Sequence, residues 1–386
     1  MQLIEVKTKR DKKDFLELPL MIYKNNDQWI RPLDKDIESV FDEKENKFYR
    51  HGTAIRWLLK DDKEKVIGRV AAFYNEKISK KEDQPTGGMG FFDCIDDMTA
   101  TMMLFDKCKE WLKEKGMEAM DGPINFGERD RWWGLLVEGF SEPVYCMNYN
   151  PPYYRKFFEE YGFKMFFEQI VFSLKVFDPL QDKFIERHAR IAANPDFKAA
   201  HIDKSNIEKY AEDFSIIYNK AWATHAGGKS ISKEQALLIF KKMKPVMDEK
   251  LVWFIYYKDQ PIACWLNLPE INQLFKYMNG KFHLFNKLRF LWLKKRGICR
   301  KFFGIVFGVI PEYQGTGVDS YMIVEGANEI RKTNRYDDME LQWIGDFNPK
   351  MINVSESLGT KRMRKLITYR YLFDRTKEFK RSPILH

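Results

Sequence analysis

The sequence has little of what marks a secreted, metal-bound or membrane-spanning chain. No run of 18 or more apolar residues occurs, which excludes a spanning helix of ordinary length. The five cysteines, Cys94, Cys108, Cys146, Cys264 and Cys299, are odd in number and form no Cys-x-x-Cys pair. Each lies in or beside an apolar segment, so reduced, buried thiols and a cytoplasmic location are expected. No Cys/His cluster has ligand spacing, and no metal site is expected. The strand-like start Met1 to Val6 is followed by a charged run, Lys7 to Asp14, and not by an apolar one; no signal peptide is expected. Low-complexity segments are also lacking.

Apolar residues make up 44% of the 386 positions and charged residues 31%, which places the chain among globular proteins. At roughly 150 residues per domain, two mid-sized domains are the default. Aromatic residues are plentiful at 15%. They imply bulky core packing and, less often, a groove for a ligand with a long apolar or planar part. The formal net charge of +9 suits an anionic partner, whether a nucleotide cofactor, an acidic substrate, RNA or a phospholipid surface, without choosing among them.

The chain carries one plan twice. In the first copy a strand (Leu3 to Val6) and a helix from about Lys12 precede a hairpin, Thr53 to Leu59 and Val66 to Tyr74. In the second, a helix at Ser205 to Trp222 precedes the hairpin Leu251 to Tyr257 and Pro261 to Leu268. Each hairpin is apolar, β-branched and aromatic around a short charged turn. A third strand and a helix follow in both: Met89 to Cys94 with Met98 to Lys115, and Phe303 to Val309 with Gly317 to Arg331. Leu104, Phe105, Cys108, Trp111 and Leu112 form one apolar stripe. Another strand (Ala119 to Phe126; Met339 to Ile344), a helix and a final strand pair complete each copy. Asn150-Pro151 and Asn348-Pro349 open the last helices, and Gly162 and Gly359 close them. The copies are offset by about 197 residues at these glycines and about 195 at Gly68 and Ala263, which supports duplication. The expected division is 1–176, a connector at 177–196, and 197–386.

The most informative segment is Val309-Ile310-Pro311-Glu312-Tyr313-Gln314-Gly315-Thr316-Gly317-Val318-Asp319. A buried strand ends at Pro311, and a glycine-containing loop enters a helix whose free N–H groups can receive phosphate oxygens. The stretch resembles the acyl-CoA-binding motif of the GNAT N-acyltransferase superfamily, Val-x-Pro-x-x-Gln/Arg-x-x-Gly-x-Gly/Ala, with Val309, Pro311, Gln314 and Gly317 in register. The hairpin before it and the Asn348 to Gly359 helix after it fall where that fold places them. The resemblance covers most of the second half and, more weakly, the first. It implies an α+β (mixed α/β) chain of two tandem GNAT-like domains, each a splayed mixed sheet flanked by helices. It further implies an acetyl-CoA or other acyl-CoA cofactor and transfer of the acyl group to an amine, a small molecule or a peptide. Val309 and Ile310 would face the pantetheine, Gln314, Gly315, Thr316, Gly317 and Val318 would cradle the diphosphate, and Asn348 would lie near the cofactor arm.

Two positions depart from the pattern. Asp319 stands where Gly or Ala is usual, and a carboxylate disfavours a diphosphate unless it points away or meets a base. Ser355, four residues before Gly359, stands where the family often has a Tyr that protonates the leaving thiolate. No carboxylate lies in Phe303 to Val309. Glu270, Asp346 and His225 are the candidate bases by their place in the implied fold, and a histidine titrates near neutrality. The turn Asp93 to Asp97 of the first copy has three carboxylates and no glycine, so that copy is not expected to bind CoA in this manner. A non-catalytic ligand- or CoA-binding tandem and an aminoacyl-tRNA-dependent Fem-type transferase stay open, although nucleic acid is the less expected partner. The insertion at about Ile271 to Lys301 interleaves aromatics with bases, as a membrane-surface or RNA-contacting segment does, or as a helix packed on the domain with a solvated basic end.

Overall fold

The computed structural model describes residues 1–79, 84–222 and 230–385. The first half runs β1 (Gln2–Glu5), α1 (Lys9–Ile22), α2 (Asp34–Val40), β2 (Gly52–Lys60), β3 (Val66–Asn75), α3 (Glu76–Ser79), β4 (Thr86–Cys94), α4 (Met98–Glu114), β5 (Ala119–Gly122), β6 (Leu135–Glu138), α5 (Tyr154–Tyr161) and β7 (Lys164–Lys175). The second half runs α6 (Asp182–Ala192), β8 (Phe197–His201), α7 (Ile207–Ala221), α8 (Lys233–Met243), β9 (Val252–Tyr257), β10 (Gln260–Pro269), α9 (Asn272–Phe275), α10 (Leu284–Lys295), β11 (Lys301–Val309), α11 (Val318–Lys332), β12 (Asp338–Leu341), β13 (Ile344–Gly345), α12 (Pro349–Ser357) and β14 (Lys361–Leu372).

Local chemistry sets several of these boundaries. Thr8 Oγ1 accepts from Asp11 N at 3.1 Å while Asp11 accepts from Thr8 N at 2.8 Å, a reciprocal cap that starts α1. Asp97 Oδ1 accepts from Ala100 N at 2.9 Å and starts α4, so this carboxylate of the acidic turn has a capping role. Gly162 closes α5 at φ +104°, a conformation that costs a side-chain-bearing residue. The two hairpins, the third strands and the helices after them lie where the periodicity puts them.

The final strand pairs differ from expectation. A single long strand follows α5 and another follows α12. Each finds its partners in the other half: β14 lies between β5 and β7, and β7 lies between β14 and β12. The order β1-β2-β3-β4-β5-β14-β7-β12-β11-β10-β9-β8 makes one continuous mixed sheet. Ile367, Tyr369 and Tyr371 of β14 belong to the first half's core, with Trp57, Phe105 and Phe158. Arg370 forks onto Asp121 of β5 at 2.6 and 2.8 Å. Buried Thr368 donates to Gln169 of β7 at 2.9 Å. The expected division at 176 and 197 thus follows chain order, whereas the two halves exchange their last strands in space. All five cysteines are free and buried.

Candidate functional site

The strands open at one place in the second half. β11 and β12 run parallel and pair from Lys301↔Asp338 to Gly304↔Leu341. Beyond that point β13 joins β7, with Ile344 opposite Ile170. The remainder of β11 keeps β10 on one side, and the other side faces a gap. Beneath the gap lies a cavity of about 480 Å³, within the range that holds small-molecule ligands. Its walls are Gly304 to Phe307 of β11, Ile323, Ala327 and Ile330 of α11, Val354, Ser355 and Leu358 around α12, Met339 and Leu341 of β12, and Trp222 and Trp265. Polar groups are few. Arg331 reaches the wall, but its Nε donates to Val176 O at 2.7 Å. Ser355 is 1% exposed and presents the sole hydroxyl of α12 in that wall.

The glycine loop sits at the far end of β11. Val309 and Ile310 are buried in the second half's core. Gln314 turns back and donates Nε2–H to Val309 O at 3.0 Å. Gly315 (φ +73°) has open space where a Cβ would go. Gly317 (φ +102°) does not: a Cβ there would stand 3.3 Å from Arg187 Cβ and 3.2 Å from an Arg190 guanidinium nitrogen. Arg190 also donates to Thr316 O at 2.7 Å. Helix α6 therefore brings the Arg190 guanidinium onto the loop and packs the Arg187 backbone and Cβ beside it. His188 Nε2 and Glu325 Oε1, 2.7 Å apart, and the packing of Phe184 on Ile323 and Val324 fix it against α11. The N–H groups of Val318, Asp319 and Ser320 stand in the first turn of α11, where no intrahelical acceptor exists. These N–H groups and the Arg190 guanidinium are a donor set suited to phosphate oxygens. The arginines were missed in the sequence because residues 177–196 read as a connector; the signal was a helix-length run with Lys183, Arg187 and Arg190.

Of the expected site residues that lie among the described ones, only Ser355 lines the cavity. The cofactor candidates Val309, Ile310, Gln314, Gly315, Thr316, Gly317 and Val318 lie together at the β11–α11 turn. Asn348 caps α12, its Oδ1 accepting from Met351 N at 3.2 Å. Asp346 accepts from Glu168 N at 3.1 Å and is paired with Arg381. His225 lies outside the described residues. Glu270 ends β10 away from the cavity wall, at the seam between the halves. Its Oε1 accepts from Tyr145 N at 2.9 Å and Asn272 N at 2.8 Å, and its buried Oε2 has no partner. Burial pushes the carboxyl up to about 8, aided by nearby Glu340 and opposed by the two N–H groups.

The first half has a smaller cavity of about 80 Å³ between α1, the end of β4 and residues 143–154. Asp93 is its buried centre. Arg69 Nε donates to it at 2.8 Å, Tyr23 Oη at 2.8 Å and Tyr154 Oη at 3.4 Å. Burial raises the Asp93 carboxyl, against the pull of Arg69. Two carboxylates of the acidic turn are thus committed, Asp93 to this network and Asp97 to its cap. Among the described residues no group of His, Cys, Asp or Glu is arranged to hold a metal, and no helix is long and apolar enough to cross a membrane.

The splayed strands, the glycine turn and the doubled plan define the tandem GNAT fold. A tandem GNAT protein from the clavulanic acid biosynthesis pathway superposes with a TM-score of 0.55 at 10% identity, over 96% of this chain and 98% of that one. A GCN5-related N-acetyltransferase from Sphaerobacter thermophilus superposes with a TM-score of 0.50 at 9% identity, over 96% of both chains. In sequence the chain is 25% identical over 371 residues to the bacterial ceramide synthase of Caulobacter vibrioides, covering 93% of this chain and 94% of the relative. It is 24% identical over 372 residues to protein YghO of Escherichia coli K12, covering 94% and 93%. No family model matches the chain.

Proposed function

We propose that this protein is an N-acyltransferase that moves a long-chain acyl group from acyl-CoA to the amine of a long-chain amino alcohol. The observation that carries the reading is the apolar cavity beneath the parting strands. An acetyl group would leave most of about 480 Å³ unfilled, whereas each methylene buried there contributes about 0.8 kcal/mol. The relative of Caulobacter vibrioides named a ceramide synthase supplies the acceptor class, since a ceramide is the amide of a long-chain amino alcohol.

Acyl-CoA supplies the activated acyl group. Arg190 and the first N–H groups of α11 would hold its phosphates. The unpaired side of β11 after Gly304 offers main-chain groups to the pantetheine and the thioester carbonyl, and orientation in this wedge supplies much of the rate. Transfer forms a C–N bond, breaks the C–S bond, removes a proton from the amine and returns one to the thiolate. Ser355, in the cavity wall, is placed to return it, whereas Glu270 lies outside that wall and is not within reach of an amine held there.

The test is thiol release from palmitoyl-CoA and acetyl-CoA with sphinganine as acceptor, with the amide identified by mass spectrometry. Palmitoyl-CoA should react at least about tenfold faster, and Ala327→Phe, which fills the cavity, should shift preference toward shorter chains. Equal use of both donors by the wild type would overturn the long-chain assignment. Binding without thiol release would instead mark a ligand-holding protein without turnover.

A further inference from the structure

Helix α10 is apolar on two faces. Its inner face seats Phe290 and Leu293 in a cluster with Leu33, Phe275 and Met278, and Phe282 packs edge-on against Phe275 and Phe290. Its outer face carries Leu284, Phe285, Leu288, Leu291 and Trp292, which are 68%, 77%, 57%, 59% and 54% exposed. At 100° per residue these five fall in one arc of about 120°. A helix lying on a water-facing surface has polar residues at those positions, and monomeric proteins rarely leave such a contiguous apolar patch in water.

Charge specifies what covers this face. From Ile271 to Pro311 the chain has nine Lys or Arg and no Asp or Glu. Four of these, Lys276, Lys281, Arg300 and Lys301, pair with Glu142, Asp34, Asp337 and Glu340, and the other five lie between Lys287 and Arg296. Lys287 and Arg289 border the apolar arc on either side, and Lys295 and Arg296 close its C-terminal end. All four are exposed, and the Arg296 guanidinium lies 4.9 Å from the Trp292 ring centre. An apolar arc rimmed by long cationic side chains matches the boundary between acyl chains and anionic headgroups. There the apolar groups enter the acyl layer and the cations extend to phosphate.

We infer that α10 docks the protein on an anionic phospholipid surface, with its axis in the plane of the interface. This stands independently of the proposed acyl transfer. Co-sedimentation of the full chain with vesicles of phosphatidylcholine containing roughly a third phosphatidylglycerol tests it. The wild type should pellet with these vesicles and bind pure phosphatidylcholine at least about tenfold more weakly. The triple variant Phe285→Ser, Leu288→Ser, Leu291→Ser should lose at least about tenfold in partitioning. Lys287→Glu with Lys295→Glu should lose the preference for the anionic lipid. These side chains lie on the surface, so circular dichroism and the unfolding midpoint should match the wild type. A wild type that stays in the supernatant overturns the inference, as does a triple variant that pellets equally. Light scattering that shows the same residues joining two copies of the chain, or retention of RNA in place of vesicles, overturns it as well.

Discussion

Replacing Glu270 by Gln should remove a pH dependence built into the seam between the halves. The carboxyl ionises near 4.5 as a free side chain and near 8 in the folded protein. Between those values the unfolded chain has lost a proton that the native protein keeps. Stability is therefore greatest below about pH 4.5 as far as this group is concerned, and falls as pH rises toward 8. Each pH unit costs more than 1 kcal/mol. The loss reaches about 3 kcal/mol at pH 7 and about 4 kcal/mol at pH 8 relative to the protonated state. Glu270 is 1% exposed, so solvent screening does not diminish it. Gln keeps the shape and the oxygen that accepts from Tyr145 N and Asn272 N, and it does not ionise. Urea unfolding followed by circular dichroism from pH 5 to pH 9 should find the two proteins similar at pH 5. By pH 8 the variant should be more stable by about 3–5 kcal/mol. Parallel stability profiles for the two proteins would refute the reasoning, because they would mean that Glu270 is solvated or paired in solution.

The glycine turn and the first cavity give two further expectations. Both glycines are left-handed, but Gly317→Ala also drives a side chain against Arg187 and Arg190, whereas Gly315→Ala meets open space; calorimetry with palmitoyl-CoA should show at least about a tenfold loss for the former and less than about threefold for the latter. Asp93→Ala leaves the Arg69 guanidinium, 7% exposed, buried beside Tyr23 and Tyr154 without a counter-charge; denaturant unfolding should show a loss of about 3–5 kcal/mol, and Asp93→Leu combined with Arg69→Met should recover much of it.

What could be read from the residues was what the residues decide locally. The hairpin Thr53 to Leu59 with Val66 to Tyr74, and its counterpart at Leu251 to Leu268, carry their own register in a charged turn between apolar runs. The stripe of α4 and the left-handed glycines after α5 and α12 are local in the same way. The β11–α11 turn carried its resemblance in four residues, and the fold it implied is the fold observed. The partner of a strand is a different matter. Nothing in Lys361 to Leu372 states that its neighbours are β5 and β7, because a strand pairs with whatever edge the tertiary structure offers. Helix α6 was hidden for a related reason. It packs against Gly317, 127 residues beyond Arg190, and proximity of that range leaves no mark in periodicity. Nor did any spacing indicate the cavity, which arises where β13 leaves β11 for β7.

The exchange of last strands explains how a duplicated chain can serve one site. α12 carries Ser355, Val354 and Leu358 into the cavity wall, and β14, which follows it directly, is held in the first half by Arg370 on Asp121 and Thr368 on Gln169. β7, which draws β13 away and so opens the gap, is itself the last strand of the first half. One edge of the wedge, β11, is thus held by β10 of its own half, and the other is anchored by β7 of the opposite copy. A sheet joined by backbone hydrogen bonds resists shear better than two domains linked by a loop, because sliding one half against the other breaks several ladder bonds together. The first copy, with its acidic turn and small cavity, need not bind a nucleotide to matter to the second. By holding β14 and lending β7 it sets how far the strands part, and that width decides what fits beneath β11.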